Sequence, residues 1–192
     1  MVAQHKQAYT LDDLRAIEAL PENVDKYFEL INGEIYELAT PSPLHNFIVS
    51  AIVAFLFNFV RANDLGFVFG DATSYTLSNG DELIPDASFI AKERQALPLP
   101  SKFFIAPDLA IEVASPSNRE HELLDKAESY LQSGTRLVWV IYPKTQIVDA
   151  IRLTEEGKLA VQKIKFDGVI DGEDVLPGFK LPVRDIFPPQ ES

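Results

Sequence analysis

The chain has no cysteine among its 192 residues. This excludes disulfides, thiolate metal sites and thiol nucleophiles, and it agrees with a cytoplasmic protein. Basic residues are scarce as well: 17 Lys and Arg stand against 29 Asp and Glu, a formal net charge of −12. The broad basic footprint of a duplex-binding protein is therefore missing. Two local clusters, Lys92 with Arg94 and Lys102, and Lys158 with Lys163 and Lys165, read as solvated faces. A divalent cation held at an acidic site would offset part of the negative charge. Long apolar runs are also absent. The greasiest stretch, Phe47 to Val60, is about 14 residues, too short to cross a bilayer and suited to a buried helix. Met1 to Gln7 is polar, so no signal peptide and no membrane association are expected. There is no phosphate-cradling Gly-x-x-x-x-Gly-Lys, no dinucleotide fingerprint and no Gly-x-Ser-x-Gly elbow. Without that elbow, Ser115 and Ser117 with His45 and His121 make no nucleophile triad.

What is present suffices for a globular core: 46% hydrophobic residues and an ordinary 24% charged. One domain spanning 1–192 is expected. It would comprise an N-terminal helix and hairpin over 10–40, a core over 44–153, and a C-terminal hairpin with a loose tail over 154–192. Thr10-Leu11-Asp12-Asp13 has the form of a capping box opening a helix that ends before Pro21. Two strand-like runs, Tyr27 to Ile31 and Glu34 to Leu38, flank Asn32-Gly33, the strongest short hairpin signal. Leu44 to Arg61 reads as a helix apolar on most sides, either central or paired with a second subunit. Extended runs follow at Phe67 to Phe69, Ser74 to Leu77, Leu83 to Ala91 and Leu109 to Val113. A helix is predicted from Arg119 to Ser133 with Gly134 as its stop. Leu137 to Tyr142 reads as a strand buried on both faces. Ile147 to Leu153 and Leu159 to Phe166 form a hairpin around Glu156-Gly157; residues beyond Asp167 read as loops, and Phe187 to Ser192 as a loose tail. The fold class is α/β (α+β) with a mixed sheet.

Three pieces carry the chemistry: Ile84-Pro85-Asp86, Ile111-Glu112-Val113, and Lys126. Two carboxylates that come together hold a hard divalent cation, and a lysine beside them orients water or offsets charge in phosphoryl transfer. Each has a plainer reading. Glu112, an acid amid Leu109, Ala110, Ile111 and Val113, could instead pair with an arginine. Pro85-Asp86 also fits an ordinary turn. Lys126 also fits an exposed i,i+4 pair with Glu122, unless its helix packs back over the sheet. Glu29 is again an acid in an apolar strand. His45, at the start of the long helix, could serve as ligand, base or cap.

In order along the chain, several segments resemble the Uma-two family, grouped with restriction endonucleases in the PD-(D/E)XK nuclease-like superfamily. These are Tyr27 to Glu34, Ser42-Pro43-Leu44-His45, Ile84 to Ser88, Glu112 to Ser117, Lys126 to Tyr130, Gly134, and Trp139 to Pro143. The resemblance spans roughly Leu11 to Leu153. It implies a restriction-endonuclease-like mixed β-sheet flanked by helices, with the site at one sheet edge. It implies Asp86 and Glu112 as metal ligands for Mg²⁺ or Mn²⁺, and Glu29 as a further acid pointing at the site. The superfamily lysine two residues after the second acid is here Ala114, and the pattern offers Lys126 from the following helix instead. The activity expected is metal-dependent hydrolysis of DNA phosphodiester bonds; a homodimer would suit double-strand cleavage, and the apolar helix 44–61 is its candidate interface. Two alternatives belong to other classes: a nuclease fold that binds or assembles without cleaving, and a carboxylate-based hydrolase of a non-nucleic substrate that uses Glu29 and Glu112 as an acid–base pair.

Overall fold

In the computed structural model, residues 8–115 and 120–189 are described. The predicted positions Pro116, Ser117 and Arg119, the N-terminal heptapeptide and the last three residues lie outside that set.

Helix α1 (Leu11–Glu18) starts at the predicted capping box: the Asp13 N–H donates to Thr10 Oγ1, and the Thr10 N–H donates to Asp13 Oδ2 at 2.8 Å. Strands β1 (Phe28–Ile31) and β2 (Glu34–Glu37) form the hairpin, with Asn32 and Gly33 at φ of 50° and 77°. Positive φ at both central residues is the requirement of the tight hairpin turn, which is why Asn-Gly occupies it. Helix α2 (Pro43–Ala62) is capped by Ser42, whose hydroxyl accepts the His45 N–H.

The strands β3 (Gly66–Phe69), β4 (Tyr75–Thr76), β5 (Glu82–Leu83), β6 (Ala87–Ala91), β7 (Leu109–Val113), β8 (Leu137–Tyr142), β9 (Ile147–Leu153) and β10 (Leu159–Ile164) follow, with α3 (Glu120–Gln132) between β7 and β8. They fall into two sheets. A mixed six-stranded sheet runs β10-β9-β8-β7-β6-β3, with β7 and β8 parallel and the other pairs antiparallel; a four-stranded sheet runs β2-β1-β5-β4. The fold is thus α+β, with a central mixed sheet and, among the described residues, three α-helices.

The single run expected over Leu83 to Ala91 is broken. β5 belongs to the small sheet and β6 to the large one, and Ile84-Pro85-Asp86 is the crossing between them. Pro85 has no N–H to give to a ladder. The Ile84 N–H bonds the Glu29 carboxylate instead of a neighbouring strand. This switch point brings Asp86 beside residues of both sheets.

Alternation along β7 and β8 divides the core. Leu109, Ile111, Val113, Leu137, Trp139 and Ile141 face α2, whose row Ile48, Ile52, Leu56 and Val60 is fully buried. Ala110, Val138 and Val140 face the other way, with Leu123, Ala127, Tyr130 and Leu131 of α3 and with Tyr75 and Leu83 of the small sheet.

The C-terminal segment differs from the loose reading. Strands β11 (Val169–Asp171) and β12 (Lys180–Pro182) pair, a 3₁₀ turn follows at Val183–Ile186, and Phe187 is buried. Ile170, Leu176, Phe179, Leu181, Val183 and Ile186 complete the layer containing α2; the Phe179 ring stacks on Trp139 at 5.9 Å and meets Phe59 edge-on at 5.2 Å. Spaced apolar residues among Gly, Asp and Pro carry no period, so burial together with the β11–β12 pairing orders this segment.

α2 is long and apolar enough by composition to cross a membrane. Its Ile48-to-Val60 row packs on the sheet as in an amphipathic core helix. Leu44, Phe47, Phe55 and Phe57 are left exposed, with Phe47 and Phe55 at 44% and 42%.

Candidate active site

Glu112 lies near the end of β7, on the face covered by α3, and β7 is an interior strand flanked by β6 and β8. The cluster therefore sits where the two sheets and α3 meet, and not at an outer strand of the sheet. Lys126 and Tyr130 are four apart on α3 and share one side of the helix. Both reach Glu112: Lys126 Nζ lies 3.2 Å from Oε2, and the Tyr130 hydroxyl donates to Oε1 at 3.1 Å. Lys126 Nζ also lies 2.8 Å from Glu29 Oε2, while Glu29 Oε1 accepts the Ile84 N–H at 2.8 Å. Glu29, Glu112, Lys126 and Tyr130 are all buried.

Asp86 adjoins this group from the sheet crossing. Its Oδ2 accepts the Val113 N–H at 2.6 Å and lies 3.2 Å from His45 Nε2. Its carboxylate acts on both Glu112 and Lys126 electrostatically. The four residues expected from sequence are thus assembled: Glu29, Glu112 and Lys126 in direct contact, Asp86 beside them. The reading of Lys126 as an exposed surface lysine is corrected. The side of α3 carrying Lys126 and Ser129 packs against protein, with Ser129 Oγ donating to Asp81 Oδ2 at 2.6 Å. The arginine partner considered for Glu112 is a lysine.

Charge does not balance here, since one ammonium faces three acids. Burial pushes the Glu112 carboxyl up to about 8; Lys126 opposes the rise, and Asp86 and Glu29 add to it. For Lys126, burial works toward neutrality, but the carboxylates of Glu112, Glu29 and Asp86 outweigh it and hold the ammonium above its ordinary value. Burial, reinforced by Glu112 and Glu29, keeps the Tyr130 hydroxyl well above its usual value, so it remains a donor. Burial also disfavours charge on His45, but Asp86 outweighs it and raises the imidazole.

The donor set suits a hard divalent cation. It consists of carboxylate oxygens, it carries excess negative charge, and each oxygen of Glu112 keeps a second lone pair beyond the bond it makes. Among the described residues no three Asp, Glu or His side chains close on one point. Mg²⁺ commonly takes only one or two carboxylates and completes its shell with water and phosphate oxygens, so Asp86 and Glu112 form a set of the right size. Each oxygen of Glu29, like each oxygen of Glu112, makes one bond: Oε2 to Lys126 and Oε1 to the Ile84 N–H.

Sequence reading missed Tyr130 as a partner of Glu112 and the His45–Asp86 pair. Tyr130 was legible as the i+4 neighbour of Lys126, whereas the contact of His45 with a residue 41 positions away had no local signal.

A cleft of about 570 Å³ opens beside Asp86 and is lined by His45, Ala114, Ser115 and Tyr142 among others. A smaller pocket of about 270 Å³, bounded by Phe69, Thr73, Leu99 and Phe103, includes none of the site residues.

A family model described as Uma2, "Putative restriction endonuclease", matches residues 12–184. The fold is similar to the crystal structure of a protein from Anabaena variabilis titled a putative nuclease belonging to DUF820. The TM-score is 0.80 at 24% sequence identity, over 93% of this chain and 97% of that one. No curated protein matches the chain.

Proposed function

From its membership of the Uma2 family, to which this chain belongs, we propose that it is a metal-dependent endonuclease hydrolysing DNA phosphodiester bonds. The observation that carries this reading is the convergence of Glu29, Glu112 and Lys126 beside Asp86, at the crossing between two sheets. Asp86 and Glu112 would hold Mg²⁺ or Mn²⁺. When bound, such an ion polarises the phosphoryl oxygen and lowers the pKa of the attacking water.

The remaining work falls to the chain. The Lys126 ammonium positions the water or offsets charge developing on the pentacovalent phosphorus. Glu29, fixed by the Ile84 N–H, anchors that ammonium. This assigns Glu29 to positioning, and it argues against Glu29 and Glu112 as an acid–base pair. Tyr130 orients Glu112, while His45 and the Val113 N–H orient Asp86. Lys126, delivered from α3, replaces the lysine absent at position 114.

Nicking of supercoiled plasmid by purified protein tests the reading. Activity is expected with Mg²⁺ or Mn²⁺ and not with EDTA, and Asp86→Ala and Glu112→Ala should each lose at least about a hundredfold. Cleavage that persists in either variant, or in chelator, rules out these assignments.

The absence of cysteine supports a cytoplasmic setting. The exposed stripe of Leu44, Phe47 and Phe55 on α2 supports a homodimer assembled through this helix. Light scattering should give the mass of two chains for the wild type and of one for Phe55→Glu; equal masses for the two would remove this interface.

A further inference from the structure

Twelve of the lysines and arginines in the described residues are already engaged in ion pairs. Both clusters noted in the sequence are neutralised almost entirely: Lys92 by Asp64, Arg94 by Asp108, Lys102 by Glu82, Lys158 by Glu156 and Lys163 by Asp149. Among the described residues only Arg61, Lys144 and Lys165 stand outside ion pairs, and Arg61 lies 6.0 Å from the centre of the Phe57 ring. The described residues offer no row of free cations to track the two backbones of a duplex.

One of these free cations, Lys144, lines the cleft beside Asp86. The cleft meets the site through two residues of its wall: His45 is hydrogen-bonded to Asp86, and Ala114 follows the residue whose N–H holds Asp86. The other walls are mostly apolar or aromatic, from Leu44, Tyr142, Pro143 and Ile147. Lys163 lies 6.0 Å from the centre of the Tyr142 ring. An aromatic and aliphatic slot lined by two lysines, of which Lys163 is paired with Asp149 and Lys144 stands outside ion pairs, has the chemistry of a pocket for a single unpaired nucleotide: the base lies against the apolar walls, and Lys144 meets a backbone phosphate. A volume of about 570 Å³ matches one small ligand and not a double helix.

We infer that the cleft bounded by His45, Tyr142 and Lys144 receives an unpaired nucleotide next to the scissile phosphate, so that the substrate is a single strand or a locally opened one. This deepens the nuclease reading and rests on it for the identity of the bond cleaved.

The test is fluorescence anisotropy in EDTA, with a labelled single strand of about twelve nucleotides and the corresponding duplex as probes. The single strand should bind about tenfold more tightly. Lys144→Ala should weaken single-strand binding about three- to tenfold and lower its salt slope by about one, while Lys165→Ala, at an exposed lysine outside the cleft, leaves both unchanged. Equal or tighter duplex binding, or equal effects of Lys144→Ala and Lys165→Ala, would overturn the inference. Because no cleavage occurs in EDTA, the two readings fail separately. Oligonucleotide binding without any plasmid nicking would remove the nuclease reading alone; nicking by a protein with no preference for the single strand would remove the unpaired nucleotide alone.

Discussion

Lys126→Met should lower the unfolding free energy by about 3–5 kcal/mol, the cost expected when one partner of a buried ion pair is removed. The ammonium is the only cation in contact with Glu29 and Glu112 among the described residues, and all three groups are buried. Methionine keeps most of the volume, so the loss is electrostatic and not a cavity. Adding Glu29→Gln should recover part of it, because the amide removes the uncompensated charge while its oxygen can still accept the Ile84 N–H. Urea unfolding of the single and double variants measures both changes. A Lys126→Met midpoint within error of the wild type would mean that the cluster is not held as described. Cleavage should fall in both variants, and the stability recovery of the double variant separates a functional loss from an unfolded protein.

Glu112→Gln should reshape the dependence of stability on pH. The Glu112 carboxyl rises from an ordinary 4.5 to about 8, chiefly through burial. A carboxyl raised in this way favours the folded state while protonated. Its contribution is complete below pH 4.5 and is lost as pH rises through about 8. Glutamine does not titrate, so the variant should gain on the wild type steadily between those limits. The gain should be a few kcal/mol at the alkaline end, since a tenfold change in a group's proton affinity on folding corresponds to about 1.4 kcal/mol. Melting curves at pH 5 and pH 8 test this, and parallel profiles for the two proteins would refute it. Mg²⁺ should raise the wild-type melting temperature more at pH 8 than at pH 5, because the ion requires the ionised carboxylate. Glu112→Gln should lose that increment.

These variants bear on a question that the composition raises. A net charge of −12 repels a polyanionic substrate at long range. It is the lysines and arginines that are largely paired, which leaves acids in excess over the chain; three of those acids meet around Lys126, where a divalent ion would find an excess of carboxylate.

The Asn32-Gly33 hairpin, the Thr10 capping box, α2 and the apolar strands β7 and β8 were each legible from a few adjacent residues, because turn chemistry, capping and side-chain periodicity are local properties. The acids were legible for the same reason: a carboxylate within an apolar strand needs a partner wherever the strand ends up. Which partner it finds is not local. Glu29, Ile84, Glu112 and Lys126 lie on four separate segments of two sheets and a helix, and only the packing of α3 across the junction of the sheets turned its lysine inward. The order of residues 167–187 also came from tertiary structure. Phe179 and Phe187 have no periodic setting, and they are fixed by the apolar surface that Trp139 and α2 present to them. The sequence thus determined the local elements and the residues that demand compensation, while the fold decided the contacts that supply it, because a buried charge is satisfied by whatever long-range packing brings within hydrogen-bonding distance.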